Sequence, residues 1–187
     1  MNKVLVRAAQ GLLVLLLSAC VTHIEPSVTA NPPPMEPLKN FGQFELLPVQ
    51  ASKEAQAETE ALAKIDANLR DKILAVTKPW QQSDPAARKL KIEPYVEQLK
   101  FVDGGTRFFA GAFAGSSAVV IKLKLIDAAT QQVIAQPEFY QRAAAMGGAW
   151  SVGGTDNGML ERIATVAQDY LQRNYQQAVG GPTGAED

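Results

Sequence analysis

The stretch that most constrains this chain is residues 118–127, AVVIKLKLID. Val119, Ile121, Leu123 and Leu125 recur at every second position, with Lys122 and Lys124 between them. A period of two belongs to a strand and sends the four apolar side chains to one face. The following residues, Asp127 to Gln132, are small and polar, and they read as a hairpin turn begun by Asp127. A returning strand is expected over residues 133–144, interrupted by Pro137, because proline cannot donate to a ladder. A chain with this hairpin must build a sheet, and at least one face of that sheet needs a cover.

Two amphipathic segments supply the cover. Leu62, Ile65, Leu69, Ile73 and Val76 step by three or four and predict a helix from Ser52, its N-cap, to about Val76. Glu54, Glu58 and Glu60 lie near its positive end, and Asp66–Arg70 is an i,i+4 pair on its wet face. Leu160, Ile163, Ala167 and Leu171 predict a second helix, capped by Thr155 or Asp156 after a loop over 147–158. Phe44 and Leu46 alternate with polar residues as a first strand ending near Pro48. Leu90, Ile92 and Val96 mark another strand running to Phe101, with Pro94 requiring a bulge or an edge. The expected order is β-α-β-β-β-α. The fold expected is α+β: a single mixed four-stranded sheet with two helices packed on one face.

The chain begins as an export signal. Lys3 and Arg7 precede an apolar core centred on residues 12–17, followed by Ser18, Ala19 and Cys20. From Val4 to Ala19 there are only 16 positions, Arg7, Gln10 and Gly11 among them. A membrane-spanning helix needs about 20 apolar residues. Residues 1–19 are therefore expected to be a signal peptide. Their removal takes away two of the 18 basic residues and none of the 19 acidic ones, leaving a formal charge of −3.

Residues 21–40 contain Pro26, Pro32, Pro33, Pro34 and Pro37 and no hydrophobic period. Residues 20–40 are expected to be a lipidated cysteine and an extended proline-rich tether, residues 41–178 the globular domain, and residues 179–187 a flexible Gly-rich tail.

Several functions are disfavoured by composition. The charge balance provides no basic footprint for nucleic acid. One cysteine and one histidine, His23 in the expected tether, exclude a disulfide framework and the usual multi-Cys or His-based metal sites. No metal or cofactor is expected. The acids considered for catalysis are Asp103, Asp127, Asp156 and Glu161. Asp127 has a turn to start and Asp156 a helix to cap, so no enzyme is expected.

The candidate binding residues lie in two loops. Asp103, Gly104, Gly105, Thr106 and Arg107 lead into Phe108 and Phe109, then into a run from Gly111 to Ser117 that contains Phe113. A phosphate-binding loop requires Lys-Ser/Thr after the last glycine and a helix beyond it. Neither follows Gly115. The unusual feature is aromatic and apolar content among glycines. Either the aromatics tuck under the sheet, or Asp103, Arg107, Phe108, Phe109 and Phe113 form a partner-binding loop. Met146 and Trp150 give the loop over 143–154 the same character.

Leu17-Ser18-Ala19-Cys20 resembles a bacterial lipobox. The resemblance implies a thioether-linked lipid on Cys20, cleavage before it and acylation (palmitate or a similar chain) of the new amino terminus. At the sorting position stands Val21 rather than Asp, which implies outer-membrane residence facing the periplasm. The run Phe101-Val-Asp-Gly-Gly-Thr-Arg107, the Gly-Ala-Phe-Ala-Gly-Ser stretch, the Lys-Leu-Ile-Asp-Ala-Ala-Thr turn and the Gly-Thr-Asp-Asn-Gly helix start resemble a family of bacterial lipoproteins known as a domain of unknown function. The element order is also similar to small accessory lipoproteins of envelope transport machines and to the periplasmic part of the curli secretion pore.

The leading expectation is a lipid-anchored, periplasm-facing outer-membrane lipoprotein. It would touch the membrane through Cys20 and act as a non-enzymatic protein-binding or accessory module of an envelope complex. The alternatives are a carrier of lipid or a small apolar ligand, and a subunit of a secretion assembly. The last requires barrel strands of about 9–11 alternating residues. Only residues 118–127 come close, and they carry lysines.

Overall fold

The structure is a computed structural model, and it describes residues 24–101, 116–143 and 154–185. Among them are eight strands: β1 (Ala30–Asn31), β2 (Gln43–Leu46), β3 (Gln50–Ala51), β4 (Lys89–Lys100), β5 (Ala118–Asp127), β6 (Val133–Ala135), β7 (Glu138–Arg142) and β8 (Gly181–Pro182). Two long helices, α1 (Thr59–Thr77) and α2 (Gly154–Gln176), complete the α+β architecture. Both helices start earlier or later than expected: a 3-10 turn, Ala55–Ala57, precedes α1, and α2 begins at Gly154 with Asp156 already in its first turn.

The main sheet is mixed, as expected, but it has six strands rather than four. β4 and β5 form its antiparallel centre, with Leu90 opposite Asp127 and Lys100 opposite Ala118. β2 and β3 run parallel to β4 along one side. β6 and β7 run antiparallel to β5 along the other. The additional strands arise because each outer strand is broken near a proline: Pro48 between β2 and β3, Pro137 between β6 and β7. Pro94 is explained by the same break. The carbonyls of Ile92 and Val96 accept from Leu47 and Ser52 on the β2–β3 side. Main-chain groups two residues apart point the same way, so the N–H that Pro94 lacks would face the gap around Pro48. A bulge lies nearby, between Val96 and Gln98.

The period-two pattern of β5 works as its spacing requires. Val119, Ile121, Leu123 and Leu125 are fully buried under the helices, with Leu90, Ile92 and Phe139 beside them. Ile65, Leu69, Ile73 and Val76 of α1 and Leu160, Ile163, Ala167 and Leu171 of α2 meet that surface. Leu62 lies at the margin, partly buried. The predicted Asp66–Arg70 pair forms at 2.7 Å.

Residues 24–40 and 179–185 depart from the tether and loose tail expected of them. β1 and β8 pair antiparallel, Ala30 with Pro182 and Asn31 with Gly181. Leu38 is fully buried in the main core. Asn31 donates to the Glu138 carbonyl at 2.7 Å and accepts from the Glu138 N–H at 2.7 Å. The C-terminal segment is held by Asn174, whose Oδ1 accepts from Val179 and Gly180 at 2.8 Å each. Gly180 has φ +76, and a side chain there would collide with the Asn31 carbonyl. The physical reason for the difference is that proline-rich chain can be extended and still packed, provided side chains satisfy its main chain. The Tyr170 hydroxyl does so for the Pro32 carbonyl, at 3.0 Å.

These connections give the sheet two distinct ends. At one lie the last residues of β4 and β7 and the first of β5, with Ala118 opposite both Lys100 and Arg142. The β5–β6 turn lies at the other.

Candidate functional site

The face of the sheet opposite the helices carries alternating charge because it receives the intervening residues of β4 and β5. Gln50, Glu93, Tyr95, Lys122, Lys124 and Gln136 line a shallow depression around Pro94. Glu93 stands opposite Lys124, and Tyr95 opposite Lys122. Lys122 lies 2.7 Å from the Glu97 carboxylate and 3.5 Å from that of Glu138. Burial pulls the Lys122 ammonium down, but the bonds and charges of Glu97 and Glu138 outweigh it and hold the group above its ordinary value. Glu138 also accepts from the Ser27 hydroxyl at 2.7 Å and from the Ser27 main chain. The N-terminal arm is thereby pinned to this face.

Apolar residues close part of the same face. Ile24, Ala118, Val120 and Tyr140 form a separate buried cluster at the end where β5 begins. Burial raises the Tyr140 hydroxyl above its ordinary value. What stays open is a polar surface on which Lys122 is paired with Glu97 and Glu138 and Tyr95 is 39% exposed. Such a surface can offer hydrogen bonds and an aromatic contact to a partner.

A second polar cluster stands at the turn end. Arg88 makes a two-pronged contact with Glu36 at 2.8 and 2.9 Å and reaches Asp127 at 2.7 Å. Its guanidinium lies 4.3 Å from the centre of the Phe41 ring. Asp127 also accepts from the main chain of Ala129 and Thr130, which is the turn-starting role expected of it. The bonds from Arg88, then those from the turn, hold the Asp127 carboxyl below the usual carboxylate range. The cluster fastens the 36–41 segment to the turn.

Among the described residues, no group of three or more His, Cys, Asp or Glu side chains is placed to hold a metal ion. The residues singled out from sequence, namely Cys20, Asp103, Arg107, Phe108, Phe109, Phe113, Met146 and Trp150, all lie outside the described residues. So does His23. Asp156 and Glu161 lie on α2, where Glu161 stands 3.8 Å from Lys72 of α1. The sequence reading missed Glu138, Arg88 and Asn174, because a lone polar residue has no period to betray it. Only Asp127, next to a turn, carried a local signal.

No family model and no curated protein matches the sequence. Similar solved structures include a PelC dodecamer from Paraburkholderia phytofirmans, at 13% identity over 71% of this chain and 88% of that one, with a TM-score of 0.39. Protein XCC0632 from Xanthomonas campestris, of family DUF330, is 14% identical over 81% and 95%, with a TM-score of 0.42. A lipoprotein candidate from Caulobacter crescentus is 17% identical over 74% and 89%, with a TM-score of 0.35. At such scores the likeness assigns neither a family nor a function.

Proposed function

We propose that this chain is a lipoprotein anchored through Cys20 to the periplasmic side of the outer membrane, and that its α+β domain is a non-enzymatic binding module for an envelope protein. The observation that supports the anchor is the place of the only cysteine. It closes Leu17-Ser18-Ala19-Cys20, at the end of an apolar run, and the first described residue of the domain, Ile24, follows four positions later. Among the described residues no helix is long and apolar enough to cross a membrane, and the acyl group is the attachment this reading requires. Each buried methylene contributes about 0.8 kcal/mol, so several acyl chains would hold the domain on a bilayer almost permanently.

The binding role draws on the Tyr95 surface, where Lys122 is paired with Glu97 and Glu138 while Glu93, Lys124 and the aromatic ring line an open depression. The test has two parts. Intact-mass spectrometry of the mature chain should show cleavage before Cys20 and acyl mass on it, and Cys20→Ala should accumulate as unlipidated precursor. A tagged copy should then capture a stoichiometric protein from solubilised envelopes. An unmodified Cys20 would end the anchor reading, and a co-purifying lipid in place of a protein would favour a carrier.

A further inference from the structure

We propose that the domain stands on the bilayer with a defined end down. The end where β4 and β7 finish and β5 begins faces the lipid, and the β5–β6 turn points away. This inference rests on the lipid anchor at Cys20 proposed above.

Four observations converge on that end. The first is where the chain arrives. Ile24 is buried against Ala118, Val120 and Tyr140, so the arm enters the fold beside the start of β5. The second is how little chain lies outside. Cys20 and Ile24 are four Cα steps apart, and an extended chain covers at most ~3.6 Å per residue. Four residues of chain can therefore carry the lipidated cysteine at most about 14 Å from Ile24, which packs in the Ala118–Tyr140 cluster.

The third observation is that the arm cannot slide free to lengthen this reach. Ser27 is bonded to Glu138, Asn31 is bonded to both main-chain groups of Glu138, and Ala30–Asn31 is paired with Gly181–Pro182. From Ile24 the arm runs away from the proposed lipid-facing end. Met35 reaches Ile134, and Glu36 reaches Arg88 beside the turn. A tether over residues 20–40 would have allowed any orientation, whereas a packed arm that starts at Ile24 does not.

The fourth is the length of the sheet. From Ala118 to Asp127 is nine residues of rise, or about 30 Å at ~3.3 Å each. That exceeds the reach of residues 20–24 about twofold. Acyl chains inserted in a bilayer thus hold Lys100, Ala118 and Arg142 near the headgroups and leave Ala129 and Thr130 well beyond them. The Arg88–Glu36–Asp127 cluster is then presented to the periplasmic space.

A fluorescence experiment on the full acylated chain tests this. Cys20 is the only cysteine and its sulfur is blocked by lipid, so an introduced cysteine takes a label alone. Gln98→Cys and Ala129→Cys place the label on exposed positions toward opposite ends. The protein is reconstituted in phosphatidylethanolamine–phosphatidylglycerol vesicles containing a nitroxide-headgroup lipid. Quenching at position 98, level with Val120, should exceed that at position 129 by at least about twofold, given about 23 Å of strand between Val120 and Asp127. A long Gly-Ser spacer inserted after Val21 should make the two equal. Hydrogen exchange of the unsubstituted acylated chain provides a second reading that needs no variant. Vesicle binding should add protection around residues 98–101 and 116–118 and leave 128–132 unchanged. Equal or reversed quenching by an acylated protein, or protection confined to the turn, overturns the orientation. Absence of acyl mass together with no quenching at either site overturns it too, through failure of the anchor, and the mass spectrum tells the two failures apart.

Discussion

Arg88, just before β4, reaches the Asp127 carboxylate at the end of β5 with a nitrogen–oxygen distance of 2.7 Å, while Asp127 holds the turn that follows. The same guanidinium binds Glu36, so two carboxylates share one cation. Bonds from Arg88 hold both below their ordinary values of 3.8 and 4.5. A carboxylate whose folded pKa is depressed contributes stability that is present above its unfolded pKa and is lost as the pH falls through the folded one. The native chain should therefore lose stability as the pH falls below the ordinary carboxylate range and through the lowered folded values, and Arg88→Met should lose less over the same fall. Urea unfolding at pH 6 and pH 3 measures the difference. Parallel losses in the two proteins would show that the cluster contributes nothing to folding.

The two faces of the sheet make separate predictions. Leu69→Ala and Leu123→Ala should each cost ~2–5 kcal/mol, since both side chains are fully buried between helix and sheet. Lys122 lies on the face that period-two reasoning leaves wet, where removal would be nearly free. The structure alters that expectation, because Lys122 sits between Glu97 and Glu138, and the Glu138 side chain is only 4% exposed. Lys122→Ala should cost ~1–3 kcal/mol by leaving a buried carboxylate short of a partner. Adding Glu138→Gln should return part of it. Thermal melts of the four variants decide the matter, and no loss in Lys122→Ala would mean that this face is solvated.

The C-terminal segment should be part of the folding unit. Asn174 accepts from Val179 and Gly180 and donates to the carbonyls of Tyr170 and Gly180 at 2.7 and 3.1 Å. Asn174→Ala should cost ~1–3 kcal/mol through donors left without a partner. Deleting residues 179–187 should destabilise by at least as much, because it also strips β1 of its pairing partner. A truncated chain that melts with the full one would return this segment to the loose tail its glycines suggest.

The parts of the fold that were legible in sequence are those written in repeated apolar positions. The stripe from Ile65 to Val76 and the alternation in β5 each commit several residues to one face, and the burial of Leu69 and Leu123 follows directly. The division into six strands was half visible. Pro48 and Pro137 marked the breaks, but pairing across β3 and β7 is made by main-chain groups that carry no sequence signature. The packing of residues 24–40 was invisible for another reason. Its partners are distant in sequence, 52 residues for Glu36 and Arg88 and 111 for Ser27 and Glu138, and it is held by Asn31, Tyr170 and single buried side chains rather than by a periodic face. Of the candidate site, sequence marked aromatic loops outside the described residues, while Tyr95 and the charged face of β4 and β5 looked like ordinary solvated strand.

Phe108, Phe109 and Phe113 yield the prediction that bears most directly on partner binding. They are large apolar residues in a segment whose glycines prevent any helical or strand period, and they lie outside the described residues. Were all three core residues, each would fill its own pocket, and replacement by Ala would cost ~3–5 kcal/mol every time. A residue that contacts a partner behaves otherwise. Its loss leaves the melt unchanged and weakens capture, because aromatic side chains often dominate the energy of an interface. At least one of Phe108→Ala, Phe109→Ala and Phe113→Ala should therefore keep the wild-type melting temperature and lose the envelope protein captured by the tagged chain. Tyr95→Ala belongs in the same series, since that ring is already exposed and its removal should spare the melt. If all three phenylalanine variants lose stability and capture together while Tyr95→Ala loses capture alone, the partner sits on the open sheet face and the phenylalanines belong to the core.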